Sequence, residues 1–358
     1  MQHILLNPGP VNVTERVRAA LSRGDACHRE PEVAEALAGA RALIKELFDP
    51  TDAYHVAFVT GSGTSAMEMA FSSTPAEGAK MLVIENGVYG ERISKICAAH
   101  RIDFVKVTDP WESLPDLEKI EAALKADPAI DTVGLVHHET TTGMINPVQA
   151  VGALAKKYSK RFVLDTVSGL GGEELDLNAW GVDVAASTAN KCICGFPGIS
   201  FVLCRKELME EIAKQPPRSL YLNLAHNWSA QRDSCGAFTP AIQILWALEE
   251  ALKELKEEGV QNRIARYARV SKTIRDGVES LGCKMYLPRE VYSNTISSFD
   301  LPAGKAYQQL HDALKERGFI IYAGQGPLAS KVFRIANMGQ VSDADYARLL
   351  KELEALLA

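Results

Sequence analysis

Arg161-Phe162-Val163-Leu164-Asp165 is apolar from its second residue until its last, where a carboxylate stands alone. A strand with one wet face alternates apolar and polar side chains. A strand covered on both faces, as in a parallel sheet between helices, reads as a continuous apolar run. The pattern spreads outward from this segment. Residues 55–60, 80–84, 104–107 and 132–137 are further short strand candidates, and helical stretches follow at 65–71, from Tyr89, at 114–125 and at 147–158. Downstream, residues 182–187 and 199–204 add two more strands. Strands alternating with helices predict an α/β domain with a mostly parallel sheet covered by helices.

The ends of the chain read differently. Residues 13–48 are helical material interrupted near Gly24 and Pro31, after a short apolar run and Asn7-Pro8-Gly9-Pro10. Residues 240–281 are rich in the helix formers Ala, Leu, Glu and Lys. A strand at 295–299, a helix at 304–317, strands at 319–322 and 332–335 and a helix from Asp343 follow, which describes a small α+β unit. The expected division is an N-terminal arm over 1–15, a large α/β domain over 16–240, and a linker helix with a small domain over 241–358. The arm is expected to pack near the active site.

With 358 residues, 47% hydrophobic and 23% charged, the chain has the composition of a globular protein. Its formal net charge is -6 and its basic residues form no block, which argues against nucleic acid as a partner. No secretion signal and no apolar run of transmembrane length is present, so no membrane partner and a cytoplasmic setting are expected. Seven cysteines, an odd number, read as reduced thiols. Cys192 and Cys194 lack the Cys or His neighbours of a structural zinc site, so no metal is expected.

Three segments carry chemistry. Gly61-Ser62-Gly63-Thr64 joins a strand to a helix; its small residues, free helix-start N–H groups and hydroxyls suit a phosphate, although such a turn is also a common tight connection. It lacks the full fingerprints of ATP or dinucleotide loops. Asp165 stands at the carboxyl end of the buried strand, the edge where ligands gather in open α/β sheets. It is either a capping residue for the turn through Thr166 and Val167 or the partner of a protonated pyridine nitrogen. Lys191 follows Ser187-Thr188-Ala189-Asn190, with no other charged side chain between Asp183 and Arg205. Most lysines are solvated surface groups, but an enclosed one titrates lower and becomes a nucleophile near neutral pH.

Together with His138-Glu139-Thr140-Thr141-Thr142-Gly143-Met144, Gly171-Gly172 and Gly195-Phe196-Pro197-Gly198, these segments resemble the class V aminotransferases among the fold-type I pyridoxal-phosphate enzymes. The likeness runs from Leu6-Asn7-Pro8-Gly9-Pro10 to Phe333-Arg334-Ile335-Ala336-Asn337. The resemblance implies pyridoxal 5'-phosphate as cofactor, Lys191 as its Schiff-base lysine and Asp165 as the partner of its ring nitrogen. Ser62, Gly63 and Thr64 match the phosphate loop, with Asn190 a nearby donor. Tyr89 matches the aromatic residue over the ring, Val167 packs on the opposite face, and Thr140 lies near the ring and its substituents. Thr239 resembles a phosphate contact supplied by the partner subunit, which implies a homodimer with shared active sites. Arg334 matches the arginine that receives the substrate anion, with Arg29 and Arg92 as helpers.

The implied substrates are a small anionic amine and a 2-oxo acid, and Thr140-Thr141-Thr142 with Ala189-Asn190-Lys191 points toward the phosphonate-acting members. His28-Arg29 also suits members acting on alanine, glyoxylate or serine, and that alternative stays open. A cysteine desulfurase rests only on Cys27 and Cys235. A cofactor-free binding protein on the same fold is the reading from a different class.

Overall fold

The computed structural model describes residues 3–233 and 236–357; Cys235 lies outside them. In chain order the strands are β1 (Ile4–Leu5), β2 (Tyr54–Gly61), β3 (Lys80–Glu85), β4 (Asp103–Thr108), β5 (Ile130–Val136), β6 (His138–Glu139), β7 (Met144–Ile145), β8 (Arg161–Asp165), β9 (Val184–Thr188), β10 (Gly198–Arg205), β11 (Ile296–Asp300), β12 (Phe319–Ile320), β13 (Tyr322–Ala323) and β14 (Val332–Ala336). The α-helices are α1 (Glu15–Ala20), α2 (Pro31–Phe48), α3 (Gly63–Ser73), α4 (Val88–Ala99), α5 (Leu117–Ala126), α6 (Val148–Lys157), α7 (Lys206–Ile212), α8 (Leu224–Asp233), α9 (Ile242–Glu258), α10 (Val260–Ser280), α11 (Tyr307–Glu316) and α12 (Asp343–Leu357).

Seven strands form the large sheet in the order β2-β10-β9-β8-β5-β3-β4. Six run one way and β10 alone runs antiparallel to both of its neighbours. The expected mostly parallel sheet is what the chain builds. Its alternate residues feed two cores, as the pleat demands. Phe58, Leu82, Leu135, Phe162, Leu164 and Phe201 face one core with α1, α2, α5, α6 and α9. Val59, Val83, Val163, Ala186 and Val202 face the other with α3, α4, α7 and α8. Burial on both faces explains why β8 has no polar residue between Arg161 and Asp165.

The smaller unit is α+β. An antiparallel sheet β11-β14-β13 packs on α10, α11 and α12 through Ile274, Val278, Phe299, Leu314, Phe333, Ile335 and Leu349. Helix α9 instead packs on α1 and α2, so its apolar face belongs to the large core. The helical stretch expected over 240–281 is two helices, because Gly259 takes φ +84° between α9 and α10, a left-handed conformation that stops a helix. The strand expected over 319–322 is also two. Phe319 and Ile320 pair with β1 of the N-terminal arm, whereas Tyr322 and Ala323 pair with β14. The arm is thereby fixed to the small unit, with Leu6 completely buried in its core. No helix among the described residues is long and apolar enough to cross a membrane.

Candidate active site

All six like-directed strands end at one edge of the sheet, and the turns after β2, β3, β5, β8 and β9 bring 61–64, 86–92, 137–141, 165–168 and 190–192 there. Ligands bind at this edge because strand-end turns leave backbone groups and short side chains facing a crevice.

Asp165 closes β8 and is 3% exposed. The Val167 N–H donates to Oδ1 at 2.8 Å. Burial pushes its carboxyl up to about 7; Glu139 adds to the rise, and the Val167 N–H, Arg92 and Lys191 oppose it. A carboxylate kept at this cost is poised for a cationic partner. Lys191 lies in the turn after β9, its Nζ donating to the Pro8 carbonyl of the arm. Gly9 packs so closely on it that an added Cβ would stand 2.6 Å from Cδ and 2.8 Å from Nζ. Burial lowers its amine to about 8, and the charges of Arg334 and Arg92 push the same way against Cys192 and Asp165. An unprotonated amine is therefore accessible near neutral pH.

Ser62 is the exposed N-cap of α3, and its side chain makes no capping bond. Gly63 is required by close approach: a Cβ there would lie 2.8 Å from Val167 Cγ1. Thr64 Oγ1 accepts from Arg92 Nη1 at 3.0 Å, and the Arg92 guanidinium lies 4.5 Å from the centre of the half-buried Tyr89 ring. Asn190 Oδ1 accepts from Thr188 Oγ1 at 2.9 Å; Ser200 Oγ stands 2.9 Å from Thr188 Oγ1 and 3.1 Å from the Gly61 carbonyl. The Lys191 turn and the Gly61–Thr64 turn are thus tied together. Val167 is buried against Gly63. The Thr140 hydroxyl is buried with no hydrogen-bond partner among the described residues.

Arg334, on the central strand of the small sheet, is only 1% exposed. Nε donates to the Ala323 carbonyl at 2.8 Å, and Nη1 donates to the Thr140 carbonyl and reaches Gln325 Oε1 at 3.5 Å. Nη2 has no acceptor among the described residues, and no carboxylate pairs with this cation there. Burial lowers its proton affinity, yet a guanidinium stays charged. A buried cation without its anion costs free energy that an incoming anion recovers.

The structure does not bring Arg29 into this group, and Thr239, expected to serve the partner subunit's site, lies apart from it. Arg29 is exposed in the turn before α2 and bonds none of these residues. Thr239 is exposed in the segment leading to α9, where the Ala241 N–H donates to Thr60 Oγ1 at the end of β2. Cys192 and Cys194 are buried thiols; Cys192 Sγ donates to the Ser168 carbonyl at 3.4 Å. No cluster of metal-ligating side chains is present among the described residues. No pattern in the sequence marks Pro8, whose carbonyl meets Lys191 in an arm that β1 fixes against β12. Nor does any mark His138, buried, pushed down by burial to about 3 and hence neutral, with Nδ1 3.4 Å from the Ser168 carbonyl.

Comparison with known proteins places this geometry. The family model "Aminotransferase class-V" matches residues 12–342. The chain is 38% identical to the 2-aminoethylphosphonate–pyruvate transaminase of Vibrio vulnificus (strain CMCP6), with 99% of this chain and 97% of the relative aligned. It is 35% identical to the transaminase of the same name from Klebsiella pneumoniae, over 98% of this chain and 97% of that one. Among solved structures, an aspartate aminotransferase of subgroup IV from Thermus thermophilus superposes with a TM-score of 0.90 at 30% identity, covering 99% and 98% of the two chains. An alanine–glyoxylate aminotransferase from Nostoc sp. gives a TM-score of 0.93 at 27% identity, covering 100% and 96%.

Proposed function

The chain belongs to the class V aminotransferases, and from that premise we propose that it transfers the amino group of 2-aminoethylphosphonate to pyruvate, giving phosphonoacetaldehyde and L-alanine, with pyridoxal 5'-phosphate as cofactor. The observation that carries this reading is Arg334, a buried cation with Nη2 left over, in the same group as an amine and a carboxylate that burial has each pushed toward neutrality. The full-length likeness to relatives bearing that name supports the phosphonate donor.

The residues present fit the cofactor. Thr140 offers a buried hydroxyl with no partner among the described residues. Gly63 leaves the start of α3 free of a side chain beside Val167, so Ser62, Gly63 and Thr64 would hold the phosphate at helix-start N–H groups, with Asn190 beside them. Asp165 would keep a proton on the ring nitrogen, Tyr89 and Val167 would take the two ring faces, and Lys191 would hold the group covalently. When bound, the cofactor supplies an electron-withdrawing ring that stabilises the charge left on a carbon losing its proton.

Lys191 Nζ would take the proton from the substrate carbon that bears the nitrogen and return it on the far side of that nitrogen, so that one amine serves as base and then as acid. Its lowered proton affinity lets it do both near neutral pH. Arg334 grips the phosphonate in the first half-reaction and the pyruvate carboxylate in the second through the N–H groups of Nη2, while its bonds to the Ala323 and Thr140 carbonyls hold the guanidinium plane in place. Arg92 adds a second positive charge for a doubly charged phosphonate. Thr239, with Leu220 78% exposed and the Tyr221 ring tilted against Phe238 in the same region, marks the face through which we propose a homodimer shares its sites.

A donor and acceptor panel on the cofactor-loaded protein tests the assignment. The highest kcat/KM is expected for 2-aminoethylphosphonate with pyruvate. Alanine with glyoxylate as the best pair would replace that substrate assignment with the activity named for the Nostoc structure.

A further inference from the structure

We propose that Glu139 is a positioning residue that locks the Tyr89 ring and the Arg334 anion anchor to one another through a single buried turn. The inference rests on the reading above, in which Tyr89 meets the cofactor and Arg334 the substrate anion. Glu139 ends β6 and is completely buried. Oε2 accepts from the Tyr89 N–H at 3.1 Å and the Gly90 N–H at 3.2 Å. Oε1 accepts from the Thr141 N–H at 3.1 Å and from the Thr141 hydroxyl at 2.5 Å. The same hydroxyl oxygen accepts from the Val88 N–H at 3.0 Å.

These bonds have a consequence for α4. The first N–H groups of a helix lack intrahelical partners and are usually capped by the side chain just before them. Here that place is Gly87, which has no side chain to offer. The absence is enforced by close approach, since a Cβ on Gly87 would stand 2.3 Å from Glu139 Cδ. The start of α4, and Tyr89 with it, is therefore held by a turn 50 residues along the chain. That turn also holds Arg334: the Thr140 carbonyl, between Glu139 and Thr141, accepts from Arg334 Nη1. The ring platform and the anion anchor hang from one three-residue turn, braced by one carboxylate that accepts four hydrogen bonds.

Burial raises the proton affinity of Glu139, while its bonds from Thr141, Gly90 and Tyr89 favour the ionised, accepting form. The groups facing it all donate, so an amide in its place would turn an NH2 against N–H donors.

The test uses Glu139→Gln, and Thr141→Val as a milder variant that loses only the hydroxyl bridging Glu139 and Val88. In the cofactor-free protein, amide hydrogen exchange at residues 88–90 should rise about tenfold to a hundredfold in Glu139→Gln, the range for losing hydrogen bonds to a charged acceptor. The rise in Thr141→Val should be smaller and centred on Val88. With pyridoxal phosphate bound at saturation, visible-band circular dichroism per bound cofactor should fall in Glu139→Gln. Its kcat should drop for both half-reactions by more than KM rises. Wild-type exchange at 88–90 in a folded Glu139→Gln protein overturns the proposal. If that variant does not fold, wild-type exchange at Val88 in Thr141→Val overturns it. The exchange measurement needs neither cofactor nor substrate, so a wild-type protein that binds no pyridoxal phosphate would sink the functional reading while leaving the bracing result to stand or fall separately.

Discussion

Lys191 is held where an ammonium is costly: it is buried, two arginines repel it, and a glycine backbone closes on its stem. Only the unprotonated amine can bond to an aldehyde, and burial lowers its titration to about 8, so the amine fraction grows as pH rises through that value. The rate at which cofactor-free protein takes up pyridoxal phosphate should accordingly climb between about pH 7 and pH 9 and then level. A midpoint near 10.5, the value of a solvated lysine, would contradict the enclosed site. Arg334 makes a complementary prediction. Arg334→Lys keeps the charge but loses the planar fork, so kcat/KM should fall about tenfold to a hundredfold in both half-reactions, as expected for one charge-assisted contact worth about 1.5–3 kcal/mol. The visible band of the bound cofactor should persist. Unchanged efficiencies in a folded, cofactor-loaded variant would remove this arginine from the anion's path.

The elements show why some of this was legible and some was not. Strand β8 declared itself because its middle residues, Phe162 to Leu164, are buried on both faces and all apolar, and Asp165 and Lys191 stood out as isolated charges. The helices α7 and α8 were not found. Helix α7 is only seven residues long, and α8 mixes Leu, Ala and Trp with His, Asn, Gln and Arg without a clear apolar stripe. The strand at 319–322 was split by pairing partners far away in sequence, which no local pattern encodes. The bond from Lys191 to the Pro8 carbonyl, 183 residues apart, was hidden for the same reason. The Gly63 turn offers a test at this scale. Gly63→Ala should force Val167 or the start of α3 aside, and overpacking of about 1–3 kcal/mol should weaken pyridoxal-phosphate binding some five- to hundredfold. Removing the obstacle in a Gly63→Ala, Val167→Ala double variant should recover part of the loss. Equal dissociation constants for Gly63→Ala and the wild type would show that the close approach does not shape the site.

At the scale of the whole molecule, the proposed site forms where the large sheet and the small sheet meet. The large sheet supplies Asp165, Lys191 and the Gly61–Thr64 turn at one edge. The small sheet supplies Arg334, and the N-terminal arm is pinned to that small unit by β1 and β12 while it touches Lys191. In the proposed function, chemistry and anion capture thus come from different parts of the chain, which suits a reaction that exchanges one anionic substrate for another over a fixed reacting group. The most direct measurement follows the nitrogen itself. Purified protein loaded with pyridoxal phosphate is given 15N-labelled 2-aminoethylphosphonate and unlabelled pyruvate, and the products are read by NMR. The proposed function predicts 15N-alanine and phosphonoacetaldehyde in equal amounts, and neither product above background with Lys191→Ala. Label remaining in the phosphonate while the same protein aminates glyoxylate from alanine would contradict the substrate assignment, and no transfer from any amine would contradict the function itself.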